Sequence, residues 1–352
     1  MQDERHFRID QIDPVGPLAK ALGVGRQVMS ADLISRGDGW ERGVRSVLLQ
    51  NDRLMVDVVI DRGMDIAGAR IDGVPIGWLS PTGIVGPWYV ENVGRGPHRS
   101  FYGGLLKTCG LDHIGAPRTG SDPEATVYPM HGRISSSPAQ LRSYGVEEQG
   151  GKLVAFVEGI ALQAGVLAEN LTLKRRVSLT YGSGVIELTD VISNEGANSV
   201  PHAVLYHVNV GWPLMSPGAC LQLPNTQLRG DTSFAELAAP TGIPTSRAWH
   251  FESKSGPYGP GTAGIYNRAI DADRSAGLKL AWDAEQLPTM VHWQLSGRGG
   301  QYAMALEPST LKPHSVSGPM EFPVLEPGES RTLKLKIELQ IGRGGANPLA
   351  IQ

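Results

Sequence analysis

Apolar and polar residues alternate with period two over most of this chain, and no long stretch carries the 3.6-residue period of an amphipathic helix. Such alternation marks half-buried strands, because successive side chains of an extended backbone point to opposite faces. Arg45 to Ile60 reads as two strands about Asn51-Asp52, and Ala67 to Trp78 repeats the pattern about Asp72-Gly73. The second pair suits a tight hairpin, since both of its residues tolerate positive φ. Further strands are expected near 153–162, 168–180, 184–193, 201–210, 277–282, 289–296, 301–307 and 331–341, with 14–22 the one short helical candidate. The chain has 45 Gly and 25 Pro among 352 residues, well above the usual combined share of roughly 12%. They follow no G-X-Y period and form no low-complexity tract, which excludes collagen and disorder and leaves many tight turns.

With 41% hydrophobic residues the chain can bury a large core. No repeat of 20–50 residues and no composition break marks a linker. The expectation is therefore an all-β fold, a large antiparallel β-sandwich with few short helices, formed by a single domain over 1–352 with residues 1–44 as an N-terminal extension packing on it. A sandwich of this size has a concave face suited to an elongated polar ligand such as a sugar. Loops 80–100 and 253–264 are long and rich in Gly and Pro, and long loops tend to carry function.

Lys plus Arg is 32, Asp plus Glu is 35, and the net charge is −3. No basic run interleaved with aromatics is present, so nucleic acid is not an expected partner. No stretch approaches the ~18 apolar residues that span a membrane. Met1-Gln2-Asp3-Glu4-Arg5-His6 is not followed by the apolar core of a signal peptide, and Cys109 and Cys220 are too few for a disulfide framework. A cytoplasmic location is the expectation.

Five segments carry chemistry-bearing side chains. In Ala203 to Trp212, alternation sends Val204, Tyr206, Val208 and Val210 to the core and Leu205, His207, Asn209 and Gly211 to an open face. His207 there is either structural or a ligand contact. In Gln301 to Ser309, Tyr302, Met304 and Leu306 form one face, while Ala303, Ala305 and Glu307 form another with room beside the carboxylate. Pro308 cannot donate to a ladder, so the strand is expected to stop just after Glu307. His131 sits in a loop beside a flexible Gly132 and charged Arg133. Gly103 to His113 contains Lys107, Cys109 and Asp112 among glycines that let backbone approach a ligand, or else is a bulged strand with a buried Cys. In Ile60 to Ile66, Arg62 and Asp65 either pair with each other or face a ligand.

In this order the segments resemble the aldose 1-epimerase (galactose mutarotase-like) superfamily, and most closely a bacterial branch of aldose 1-epimerase-like proteins of unknown function. Members of that branch show Asp-Arg-Gly-Met-Asp, Gly-Gly-Leu-Leu-x-Thr-Cys-Gly-Leu and His-Gly-Arg, found here at 61–65, 103–111 and 131–133, and the likeness runs over about 45–340. The resemblance implies a carbohydrate-active isomerase that interconverts sugar anomers, with Glu307 as base and His207 as acid. It places His131, Lys107 and Arg62 on sugar hydroxyls or an acidic group, with Asp65, Asp112, Arg133, Asn209 and Trp293 completing the binding set. Leu287 to Trp293 matches the preceding strand, and Pro313-His314-Ser315 echoes a Pro-x-Ser that follows the Glu. Three departures leave the sugar open: Val208-Asn209-Val210 replaces the aromatic and Asn after the strand His, Trp249-His250 stands where the family grips hydroxyls with Asp, and Lys107 stands for an Arg. No metal or redox cofactor is implied, and the partner is a small sugar or sugar derivative bound by a monomer or homodimer. The alternatives are isomerase or lyase chemistry on a keto- or acidic sugar, with His113, His131, His207 and Glu307 as a metal set, and a non-catalytic sugar-binding protein.

Overall fold

The computed structural model describes residues 25–119, 127–223, 226–228, 239–240, 242–253, 261–313 and 320–349. The expected helix at 14–22, most of loop 253–264, and His314 and Ser315 lie outside the described residues.

Two large antiparallel sheets form an all-β sandwich. The first runs, in spatial order, Ser30–Ser35, Arg45–Gln50, Leu54–Val59, Asp65–Ile71, Leu106–Cys109, Leu205–Val210, Tyr302–Ser309, Thr289–Ser296, Thr245–Ser253 and Thr226–Leu228, with Val74–Pro75 returning on Asp65–Ile71. The second runs Ala139–Gln149, Lys152–Ala164, Asn170–Thr180, Val185–Asn194, Ser330–Arg343, Arg274–Trp282, Gly261–Asn267 and Ala219–Gln222. Among the described residues the helices are short 3₁₀ turns, the longest being Gly96–Ser100, and no helix is long and apolar enough to cross a membrane. Of the first 44 residues, Ser30–Ser35 pairs along its length with Arg45–Gln50 as the edge strand of the first sheet.

The inner faces meet in one continuous core. Val56, Val58, Ile66, Tyr206, Val208 and Leu306 come from the first sheet, and Leu173, Val177, Leu188, Leu280 and Leu335 from the second. Each fully buried aliphatic side chain contributes about 1.5–3 kcal/mol. The Asp72-Gly73 hairpin forms as its sequence requires, with φ of 49° and 81°.

Two local expectations are corrected. Residues 201–210 are not one strand: Val200–Pro201 pairs with Val324–Leu325, and the ladder resumes at Leu205. Between them the backbone N–H groups of His202, Ala203 and Val204 bond Pro323 O, Leu111 O and Thr310 Oγ1, so the chain is held by neighbours outside the sheet. The strand carrying Glu307 does not stop there but runs through Pro308 to Ser309, because Thr289–Ser296 on its other side continues to pair with it. Ala139–Gln149 escaped the sequence reading because its residues are mostly polar and half-exposed, as suits an edge strand.

A buried polar network ties the sheets together. Arg175 of the second sheet donates to both carboxylate oxygens of Asp190, at 2.8 and 2.6 Å, and contacts Asp65 Oδ1 of the first sheet at 3.4 Å. Tyr206 Oη donates to Asp190 Oδ2 at 2.7 Å, and Thr108 N to Asp65 Oδ1 at 2.9 Å. All of these side chains are fully buried.

Candidate functional site

Lys107, His207 and Glu307 stand side by side on three adjacent strands of the first sheet. His207 is in register with Lys107. The pairs Leu205↔Ser309 and Val208↔Leu306 bracket the next rung and put Glu307 opposite His207. Since Tyr206 and Val208 face the core, period two turns the three functional side chains to the other face. That face is not open, as alternation alone suggested. His207 and Glu307 are each 4% exposed and Asn209 is fully buried, because loops close over the strands.

The cover is aromatic. The His207 ring lies 5.3 Å from Phe101, 5.4 Å from Trp293 and 6.0 Å from His131, centroid to centroid. Trp78 packs against Phe101 and Trp293 at 6.2 and 5.9 Å. His131, Phe101 and Trp293 are only half-buried, so they form a rim around a buried floor. Trp293 is fixed by a 2.8 Å hydrogen bond from Nε1 to Ser246 Oγ. Ala303 and Ala305 share the face of Glu307 and add no bulk.

His131 is placed by backbone, and Gly132 is not a flexible joint. Gly110 N donates to His131 O at 3.0 Å, His131 N to Gly115 O at 2.9 Å, and Arg133 N to Gly110 O at 2.9 Å. At Gly132, φ is +74° and a Cβ would lie 2.2 Å from Gly110 O. Only glycine fits such an approach. Gly132→Ala is expected to cost about 1–3 kcal/mol of stability and to shift the His131 ring, read as a lower thermal midpoint. Gly103 and Gly104 likewise accommodate protein backbone: a Cβ on either would overlap Trp78 O or Ile66 O.

Burial sets the protonation of the floor. It pushes Glu307 up to about 8. It pushes His207 well below the usual histidine range, with the neighbouring His131 and Lys107 adding to the effect. His131 falls to about 3 through burial and the Lys107 charge. Lys107 falls to about 8 through burial and the Arg62 charge. Both members of the central pair are thus driven towards their neutral forms. His207 Nε2 lies 3.1 Å from Glu307 Oε1, yet the two are not aligned as a hydrogen bond. Glu307 Oε1, His207 Nδ1, His131 Nδ1 and Asn209 Oδ1 are buried atoms without a hydrogen-bond partner among the described residues.

The other expected site residues fall into two groups. Asn209 and Trp293 line the floor and rim, Asn209 through a 3.0 Å bond from Nδ2 to His207 O. Asp112 is buried and lies 3.8 Å from Arg133, whose guanidinium also bonds Val127 O and lies 6.0 Å from the Tyr128 ring centroid. Arg62 and Asp65 do not pair with each other. Arg62 is fully buried and gives its donors to Ser135 O, Val85 O and Ser100 O, while Asp65 serves the Arg175 network. Cys109 packs with Ile114, Ala203, Leu205 and Val291, and burial raises its thiol far above the reactive range.

Among the described residues no three His, Cys, Asp or Glu side chains converge to hold a metal ion. His113, a member of the alternative metal set, turns its Nε2 to Ala116 O at 2.7 Å. The sequence reading missed Phe101, Trp78 and Ser135. Phe101 precedes the Tyr102-Gly103-Gly104 stretch, and an aromatic at the mouth of a glycine pair was the one available signal.

Comparison with known proteins adds fold and family. A family described as a domain of unknown function (DUF4432) matches residues 41–339. No curated protein matches the sequence. A solved candidate aldose 1-epimerase from Klebsiella pneumoniae is similar with a TM-score of 0.77 at 20% identity, over 88% of this chain and 83% of that one. A galactose mutarotase-like protein from Clostridium acetobutylicum gives 0.62 at 14% identity, over 90% and 100% of the two chains. Galactose 1-epimerase from Lactobacillus acidophilus gives 0.53 at 13% identity, over 89% and 99%. At these identities the likeness establishes a shared galactose mutarotase-like fold.

Proposed function

This chain belongs to the DUF4432 family, and we propose that it is a carbohydrate-active enzyme that interconverts the anomers of a sugar by acid–base catalysis, with Glu307 and His207 as the proton-handling pair. The observation that carries this reading is the 3.1 Å contact between His207 Nε2 and Glu307 Oε1 on a buried, aromatic-rimmed floor. Polar atoms there without partners among the described residues suit a ligand rich in hydroxyls.

Ring opening needs one group to take the proton of the anomeric hydroxyl and another to deliver a proton to the ring oxygen. In the free protein burial favours the carboxylic acid and the neutral imidazole, so the pair holds one proton between them at neutral pH. With that proton on His207, Glu307 is the base and His207 the acid. With it on Glu307 the same two groups run the opposite assignment, as closure onto the other face of the sugar requires. Trp293 and Phe101 give the sugar ring an apolar wall, and His131, Asn209 and Lys107 fix its hydroxyls.

The test is the exchange rate between anomers, measured by NMR across a panel of aldoses. Catalysed exchange of at least one sugar is expected, and no acceleration over buffer for any member would sink the reading. The rate is also expected to fall as pH rises through about 8, where Glu307 loses the shared proton. Lys107 titrates in the same window, so the pH profile of Lys107→Arg separates the two. A limb that persists in this variant belongs to the Glu307–His207 pair.

A further inference from the structure

Resting on the reading that this floor holds a sugar, we propose that the sugar is acidic and that Lys107 seats its carboxylate. The Lys107 ammonium is buried at 8% exposure, donates to Ser135 Oγ and lies 5.1 Å from the Phe101 ring centroid. Among the described residues no carboxylate stands within ion-pair distance of it. The nearby carboxylates face other cations: Asp65 Oδ1 lies 3.4 Å from Arg175 and accepts from Thr108 N, and Asp112 Oδ2 lies 3.8 Å from Arg133. Glu307 faces His207 and is held towards its neutral acid by burial.

A buried cation without a counter-ion is strongly unfavourable, and an anionic ligand relieves it. Phe101 offers partial compensation through its ring face, but a neutral sugar leaves the charge otherwise unanswered. The donors present favour a carboxylate over a phosphate. One ammonium, the Ser135 hydroxyl and the His131 ring can serve two oxygens, whereas the Arg62 guanidinium already gives its donors to three carbonyls. The net charge of −3 offers no general attraction for anions, so any preference is local to this seat.

Titration calorimetry with galactose, galacturonate, glucose, glucuronate and glucose 6-phosphate on the wild-type protein tests the proposal without depending on a variant. At least one uronate is expected to bind tenfold or more tightly than its parent sugar. That preference is expected to vanish in Lys107→Met and to return in Lys107→Arg. Equal affinity for uronates and neutral sugars, tighter binding of the phosphate than of the uronates, or no binding by any of the five overturns it. Anomer exchange is read separately on all five sugars. Rapid exchange without uronate preference leaves the proposed reaction standing and removes the acidic substrate, while uronate preference without exchange does the reverse.

Discussion

Glu307→Gln is expected to lower the proposed anomer exchange by about 10²–10⁴-fold and to leave the fold in place. The amide keeps the shape of the carboxyl group but can neither take nor release the shared proton. Because Glu307 is buried and held towards its protonated form, a neutral amide replaces a neutral acid at pH 7 and no buried charge is lost. A second readout follows from linkage. A carboxyl whose folded pKa is raised stabilises the fold fully below its ordinary pKa of about 4.5 and loses that contribution as pH rises through about 8. The thermal midpoint of the wild type is therefore expected to decline across that window relative to Glu307→Gln. Unchanged exchange in the variant would remove Glu307 from the mechanism, and parallel pH–stability curves would show that it is not held neutral.

Arg175→Met is expected to destabilise the protein by about 3–5 kcal/mol, measured by denaturant unfolding. It leaves Asp190 and Asp65 buried without their common cation, since both carboxylates face Arg175 at zero exposure. Asp190 keeps the Tyr206 hydroxyl and Asp65 keeps Thr108 N, but neither neutral donor cancels a buried charge. Tyr206 and Thr108 directly neighbour His207 and Lys107 in sequence, so the network also levels the strands that present the site. The damage is expected to reach the proposed sugar site as well as stability. A loss below 1 kcal/mol would mean that the two carboxylates find protons or other partners in the variant.

The strands on which the site is built were legible because a half-buried strand writes its burial into every second residue. His207 and Glu307 fell on the side opposite Tyr206, Val208 and Leu306 by parity alone, and the structure keeps that parity. Parity could not say that loops would cover the face, since Phe101 and Trp78 reach it from segments over a hundred residues away from His207. The roles of Arg62 and Gly132 were hidden for the same reason. An arginine held by three carbonyls and a glycine pressed on Gly110 O look, in one dimension, like a ligand contact and a hinge. Arg175, Asp190 and Asp65 show no local spacing, because Arg175 meets Asp190 across neighbouring strands of the second sheet and Asp65 across the gap between the sheets.

The sequence by itself determined an all-β chain, the places where most of its strands run, the Asp72-Gly73 turn and the family likeness carried by 61–65, 103–111 and 131–133. These are properties of neighbouring residues: period, turn chemistry and short motifs act over a few ångströms of chain. Only the tertiary structure decided which strands lie side by side, and hence that Lys107, His207 and Glu307 meet on one floor. It alone decided that the floor is buried. Burial drives Glu307 and His207 towards their neutral forms, and Lys107 has no carboxylate partner among the described residues, because charge burial depends on everything packed around a group and on nothing local to it.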